Sequence, residues 1–288
     1  MGVAGGGVAP MSAQPAEGPV TVIRPSSAFA WADVKELAQY RDLFYFLVRR
    51  DIKVLYAQTV LGFAWAILNP LIQIVIFTII FGRVAGIDTD GFPYILFVTV
   101  AIVPWTYMSD AMVQSSQSLV TEQHMLGKVY FPRLIYPLTP TISKLLDFSI
   151  ALLLVIAVLF HYQIAPTWNL LLLPFFIVWM VAIPAGVGMW FSALAVRFRD
   201  VKFAMQFAIR MLLYTAPILY TASPLPEKYR LLYSLNPLVG VVEGFRGCLL
   251  GGAFPWEYIL PGLATTVLLF MSGVMYFRKM ERVFADVV

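Results

Sequence analysis

Glu243 and Arg246 stand three residues apart in "NPLVGVVEGFRGCLLGG", residues 236–252, and on a helix that spacing makes two side chains neighbours. A charge pair in so apolar a setting is a candidate functional site, with a purely structural ion pair as the other reading. Two further groups are placed to make contacts: Lys128 and Arg133 in "LGKVYFPRLIYPL", residues 126–138, and Arg197, Arg199 and Asp200 in "AVRFRDVKF". Their chemistry is charge pairing rather than bond making. No G-x-x-x-x-G-K-[ST] occurs, because Gly127-Lys128 is followed by valine, so the chain by itself does not use ATP through a P-loop. It has no serine elbow, no His-x-x-x-His pair and no carboxylate cluster within a span, and Asp110 reads as an interface anchor at the end of one. With His124, His161 and Cys248 as the whole stock of imidazole and thiol, neither a metal site nor an internal disulfide is expected.

The elements that hold these residues follow from composition. Sixty per cent of the 288 residues are apolar and 12% are charged, about half the charged share of an ordinary soluble domain. The chain is therefore an integral membrane protein, and its net charge of +4 is to be read against the bilayer rather than as a sign of nucleic-acid binding. A span needs roughly 20 apolar residues. Six segments meet or approach that length, near 61–81, 92–112, 140–160, 169–196, 203–221 and 258–277. The third and fourth come from one uncharged run, Phe148 to Val196, divided by the polar turn "HYQIAPTWN". The fifth contains Arg210 and meets Pro217 near its far end.

An even number of spans puts both termini on one side. Under that topology the outer side keeps Arg83, Lys228, Arg230 and Arg246, and the other sixteen Lys and Arg lie inside, as the positive-inside rule requires. Residues 1–30 read as a disordered cytosolic tail. Residues 31–53 read as an amphipathic helix in the inner interface, with Trp31, Val34, Leu37, Phe44 and Leu47 near one face. The six-span body is then 54–282. Within it, 114–131 reads as a polar helix along the inner surface that Pro132 ends. Residues 222–250 are too charged to span and too apolar for a soluble loop, and they read as two short re-entrant helices hinged near Asn236-Pro237. The fold class is thus an all-α integral membrane protein of six transmembrane helices, with an N-terminal interface helix and a re-entrant helical segment between spans five and six. Trp65, Trp105, Tyr107, Tyr214 and Tyr220 are candidates to line a path over which sugar rings slide, or else belong to the interfacial aromatic belt.

Four segments taken together, "LGFAWAILNPL" at 61–71, "GKVYFPRLIYPL" at 127–138, "RFRDVKF" at 197–203 and "NPLVGVVEGFRGCLLGG", resemble the membrane permease of bacterial ABC exporters for O-antigen, capsule and teichoic-acid polymers. The resemblance covers roughly residues 35–282 in order and spacing. It implies a homodimer bound to two copies of a separate cytosolic ATPase, which would hold the ATP and magnesium, this chain carrying no cofactor. It also implies a bacterial inner-membrane location with both termini cytosolic, and a polyprenyl-linked polysaccharide as substrate. Lys128, Phe131, Pro132, Arg133, Arg197, Arg199 and Asp200 would then face the ATPase, and Asn236, Pro237, Glu243 and Arg246 would form a periplasmic gate. The alternatives are an ABC exporter of a lipid or drug and, in a different class, a membrane-embedded enzyme acting on lipid-linked sugars.

Overall fold

In lipid every backbone N–H and C=O must find its partner within the protein, so an apolar chain of this kind folds as helices. The structure, a computed structural model, describes residues 38–57, 59–123, 131–222 and 226–287, and among these it is all-helical. The tail 1–30 and the start of the interface helix, 31–37, lie outside the described residues, as does Lys128.

Helix α1 (Arg41–Tyr56) is followed by a 3₁₀ turn at Gly62–Ala64, α2 (Trp65–Phe77) and a wide π turn at Thr78–Val84. Next come α3 (Tyr94–Thr121), α4 (Ile135–Ser143), α5 (Leu145–His161) and α6 (Leu173–Arg197). The chain ends with α7 (Val201–Thr215), α8 (Glu227–Ser234), α9 (Pro237–Leu250) and α10 (Trp256–Val287). Five stretches are long and apolar enough to cross a membrane: Gly62–Val84, Tyr94–Thr121, Ile135–His161, Trp168–Arg197 and Trp256–Glu281. Each overlaps an expected span. The third starts five residues early and is broken at Lys144.

Helix α7, at the fifth expected span, is 15 residues long. At about 1.5 Å per residue it rises about 22 Å, short of the roughly 30 Å hydrocarbon core. Its stop has a local cause: Pro217 forces the preceding Ala216 into an extended conformation (φ −103°, ψ 154°). The chain continues without helix to Ala222, and its freed carbonyls are taken up by protein, Leu219 O by the Tyr94 hydroxyl at 2.9 Å and Ile218 O by Arg246 at 3.4 Å. Residues 201–222 therefore run from the Arg197 end of α6 to the Tyr94 end of α3.

Helix α3 is the central element. It packs along α6, which packs in turn along α10, while α4, α5, α7 and α9 surround α3. Membrane helices associate through close packing rather than a hydrophobic drive, so small residues sit where elements approach. A Cβ on Gly188 of α6 would lie within 1.8 Å of Ser115 Oγ on α3. Helix α9 carries a stripe of the same kind: a Cβ on Gly240, Gly244 or Gly247 would run into Trp179, Phe176 or Phe254. Those rings form a stack, Phe176 lying 5.8 Å from Trp179 and 5.9 Å from Phe254. By contrast, Gly62–Val84 is buried along only 11% of its most apolar window, and Ile72, Val75, Ile76, Ile79 and Ile80 are exposed on it.

The expected surface helix over 114–131 is different in the structure. Residues 114–121 continue α3 without a break, and Ser115, Ser116 and Ser118 are buried. Their hydroxyls donate to backbone carbonyls, those of Val113 and Ser115 in α3 itself and of Pro137 in α4. A serine-rich run that reads as polar therefore packs as interior helix. Residues 124–130 lie outside the described set.

Candidate functional site

The side-chain contacts divide between the two ends of the bundle and a cluster between them. At the α1 end, Arg50 donates to Glu122 at 2.6 and 3.1 Å and to Asp51 at 3.0 and 3.2 Å, tying α1 to the end of α3. Burial works against the charge on Arg50, but the bonds to Glu122 and Asp51 outweigh it and hold its pKa above the ordinary value. Burial also raises the Asp51 carboxyl, with Arg50 offsetting part of the effect. Phe131 is buried against Tyr136, ring to ring at 5.2 Å, in an apolar cluster with Leu47, Leu119 and Phe277. The Pro132 carbonyl accepts from Ile135 N at 3.1 Å and opens α4. Arg133 donates to Glu281 O at 3.0 Å, joining the start of α4 to the end of α10. Arg197, Arg199 and Asp200 are exposed at the same end, between α6 and α7, with Arg197 over the Phe198 ring at 5.3 Å. The expected contact residues that are described thus gather at one end.

Between the ends lies a cluster that sequence reasoning missed. Lys144 sits at the joint of α4 and α5, 6% exposed. Its Nζ is 2.8 Å from Asp147 Oδ2 and 3.9 Å from Asp110 Oδ2 on α3. The Tyr56 hydroxyl, at the last residue of α1, donates to the other oxygen of Asp147. Burial first, and then the Asp147 carboxylate, hold that phenol above its ordinary range. Asp110 is eleven residues from the Thr121 end of α3, about 16 Å along the helix. The four side chains border a cavity of about 190 Å³ that Trp65, Asn69 and Thr106 also line. The available signal was Lys144 and Asp147 at i,i+3 on the threshold of a long uncharged run, although their third partner is 34 residues away.

At the opposite end, Asn236 caps α9, its side chain accepting from Leu238 N at 3.1 Å, and Pro237 occupies the first helical position, where its missing N–H costs nothing. Helices α8 and α9 meet at this point, as expected. Glu243 and Arg246 form the expected pair at 2.8 Å, with side chains 16% and 8% exposed. The Arg246 guanidinium also lies over the Phe97 ring at 3.6 Å, and its Nε has no hydrogen-bond partner among the described residues. Arg230 reaches Glu257 at 3.9 Å. These groups line a cavity of about 450 Å³ closed by the turns at 89–92 and 251–255.

The five aromatic candidates separate. Trp105 and Tyr107 are buried in the core, 4% and 2% exposed, and Tyr107 donates to Thr141 O at 2.9 Å. They point to different sides of α3, and both are covered by the helices that surround it. Trp65 and Tyr214 are exposed, and the half-buried Tyr220 donates to Tyr214 O at 3.0 Å.

Residues 42–250 match the family described as ABC-2 type transporter. Three similar proteins are the O-antigen export system permease protein RfbA of Klebsiella pneumoniae, its namesake in Myxococcus xanthus and the polysialic acid transport protein KpsM of Escherichia coli. The Klebsiella protein is 29% identical over 247 residues, covering 85% of this chain and 95% of its own. The Myxococcus protein is 26% identical over 256 residues (88% and 98%), and KpsM 24% over 251 (82% and 92%). The chain belongs to the ABC-2 type transporter family.

Proposed function

We propose that the chain is the membrane permease of an ABC exporter that moves a lipid-linked polysaccharide, of the O-antigen or capsule type, out of the cytosol. The observation that carries this reading is the family match over 42–250 together with relatives of nearly equal length whose names give O-antigen export and polysialic acid transport. In this reading residues 201–222 complete a sixth crossing, both termini are cytosolic, and the protein sits in the bacterial inner membrane. Helices α8 and α9 form a re-entrant gate on the periplasmic side. Two copies pair through the poorly covered Gly62–Val84 span and α7, and each binds one copy of a separate ATPase, which supplies ATP and magnesium.

The ATPase touches Phe131, Pro132, Arg133 and the exposed Arg197, Arg199 and Asp200 at the α1 end, together with Lys128. A push on α1 reaches the bundle through two joints, Arg50–Glu122 to α3 and Tyr56–Asp147 to α5. Trp65, Tyr214 and Tyr220 offer aromatic faces to the sugars. The test is deletion of the gene and complementation, with surface polysaccharide and cytosolic lipid-linked polymer measured together. Loss of the first with accumulation of the second is expected. Unchanged surface polymer would remove the transport reading, and turnover of a lipid-linked sugar by the purified chain without nucleotide would replace it with an enzyme.

A further inference from the structure

The 450 Å³ cavity at the end remote from α1 is large enough for a ligand, since small-molecule sites run from about 300 to 1,000 Å³. Its charged wall is made by Asp90, Arg230, Glu243, Arg246 and Glu257. Three carboxylates against two guanidinium groups leave almost no net field, and what remains is negative, so the site does not favour a phosphate or other free anion. It supplies acceptors and donors side by side. That mixture suits hydroxyl groups, each of which donates one hydrogen bond and accepts others. Thr221 adds a hydroxyl of its own, and the half-buried Phe92 adds apolar surface of the kind on which the C–H side of a sugar ring packs.

Arg246 gives the second observation. Its residue is 7% exposed and its guanidinium is fixed by Glu243 and Phe97, yet the Nε–H has no partner among the described residues. Buried donors of this kind ordinarily have a partner in protein, water or ligand. A guest bearing oxygens and held against this wall would take up that capacity if the guanidinium turned from its contacts with Glu243 and Phe97.

We infer that this cavity is a carbohydrate-binding site that holds a sugar unit at the outer end of the permease. The inference rests on the transport reading, and it adds that the gate end recognises sugar rather than merely closing. A site of this kind would hold the leading end of the polymer while the other end is still being fed in.

The experiment uses the full chain in lipid nanodiscs and saturation-transfer NMR with methyl α-mannoside, methyl α-rhamnoside, methyl α-galactoside and chitobiose, with glycine and inorganic phosphate alongside. At least one sugar is expected to bind saturably, and neither glycine nor phosphate to do so. Glu257→Gln, at the exposed rim of the cavity, is expected to weaken that sugar about tenfold, as a charged acceptor becomes a neutral one. Thr221→Val is expected to weaken it by a smaller factor, both with unchanged thermal midpoints. Absence of saturable sugar binding, binding of glycine or phosphate in its place, or affinities unmoved by both variants would overturn the site. Surface polysaccharide in cells is scored separately. Intact export without sugar binding removes the site and leaves the transport reading, whereas sugar binding in a chain whose deletion leaves export untouched separates the site from transport.

Discussion

Replacing Lys144 by methionine removes the cation that two carboxylates share. At an effective dielectric of about 20, its attraction to Asp147 at 2.8 Å is about 6 kcal/mol gross, and that to Asp110 at 3.9 Å about 4. The second figure is discounted further because the Asp110 side chain is 48% exposed to the cavity. Desolvation of Lys144, which is 6% exposed, consumes much of what remains. The variant's cost is set less by the lost attraction than by the two carboxylates left facing each other, and breaking a buried pair in this way costs about 3–5 kcal/mol. Lys144→Met combined with Asp147→Asn leaves Asp110 as the one carboxylate of the cluster and is expected to recover about half of the loss. Reversible unfolding of single and double variants in mixed micelles measures the cycle. A single variant within about 0.5 kcal/mol of the unsubstituted protein, the range of ordinary surface changes, would refute the reasoning. So would a double variant no more stable than the single.

Glu243→Gln and Arg246→Leu should each impair assembly or, on the proposed function, gate closure, and their combination should regain part of the stability; strictly additive losses would show that the 2.8 Å pair carries no coupling. Gly244→Ala puts a methyl 1.9 Å from Phe176 Cε1, so the ring stack must shift, at a cost of about 1–3 kcal/mol read from the thermal midpoint; an unchanged midpoint would mean α9 lies further from α6. Tyr56→Phe keeps the Lys144–Asp147 pair but cuts the link to α1, so export should fall while ATPase binding stays, and full export would remove this joint from the coupling route. On the proposed function, Arg199→Glu should leave the proposed dimer assembled and abolish stimulation of the proposed partner ATPase, as measured on the co-purified complex.

Much of the bundle is legible because hydrophobic length alone dictates it. The stop at Pro217 and the joint at Asn236-Pro237 are legible because proline acts on its immediate neighbours, and the Glu243–Arg246 pair because its spacing lies within one helical turn. What was hidden is non-local. Nothing in the neighbourhood of Asp110 tells that Lys144 lies opposite, and the serines at 115, 116 and 118 look solvent-facing until α4 and α6 cover them. Trp105 and Tyr107 have the composition of a sugar path but are covered by the helices around α3, a distinction that appears only when its neighbours are in place. The cavity near Arg246 is assembled from turns far apart in the chain, and so has no local signature.

The interruption at Ala216 also bears on how the protein enters the bilayer during synthesis. A 15-residue helix that carries Arg210 is a poor substrate for insertion, because a cation near the middle of a helix costs about 2.5–3.5 kcal/mol on insertion scales. The partners that satisfy the unwound stretch after it arrive at different times: Tyr94 is made before it, and Arg246 after it. Residues 201–222 therefore settle into place only after α9 has left the ribosome, and a chain stalled before Arg246 would present that segment to the quality-control proteases of the membrane as unfinished.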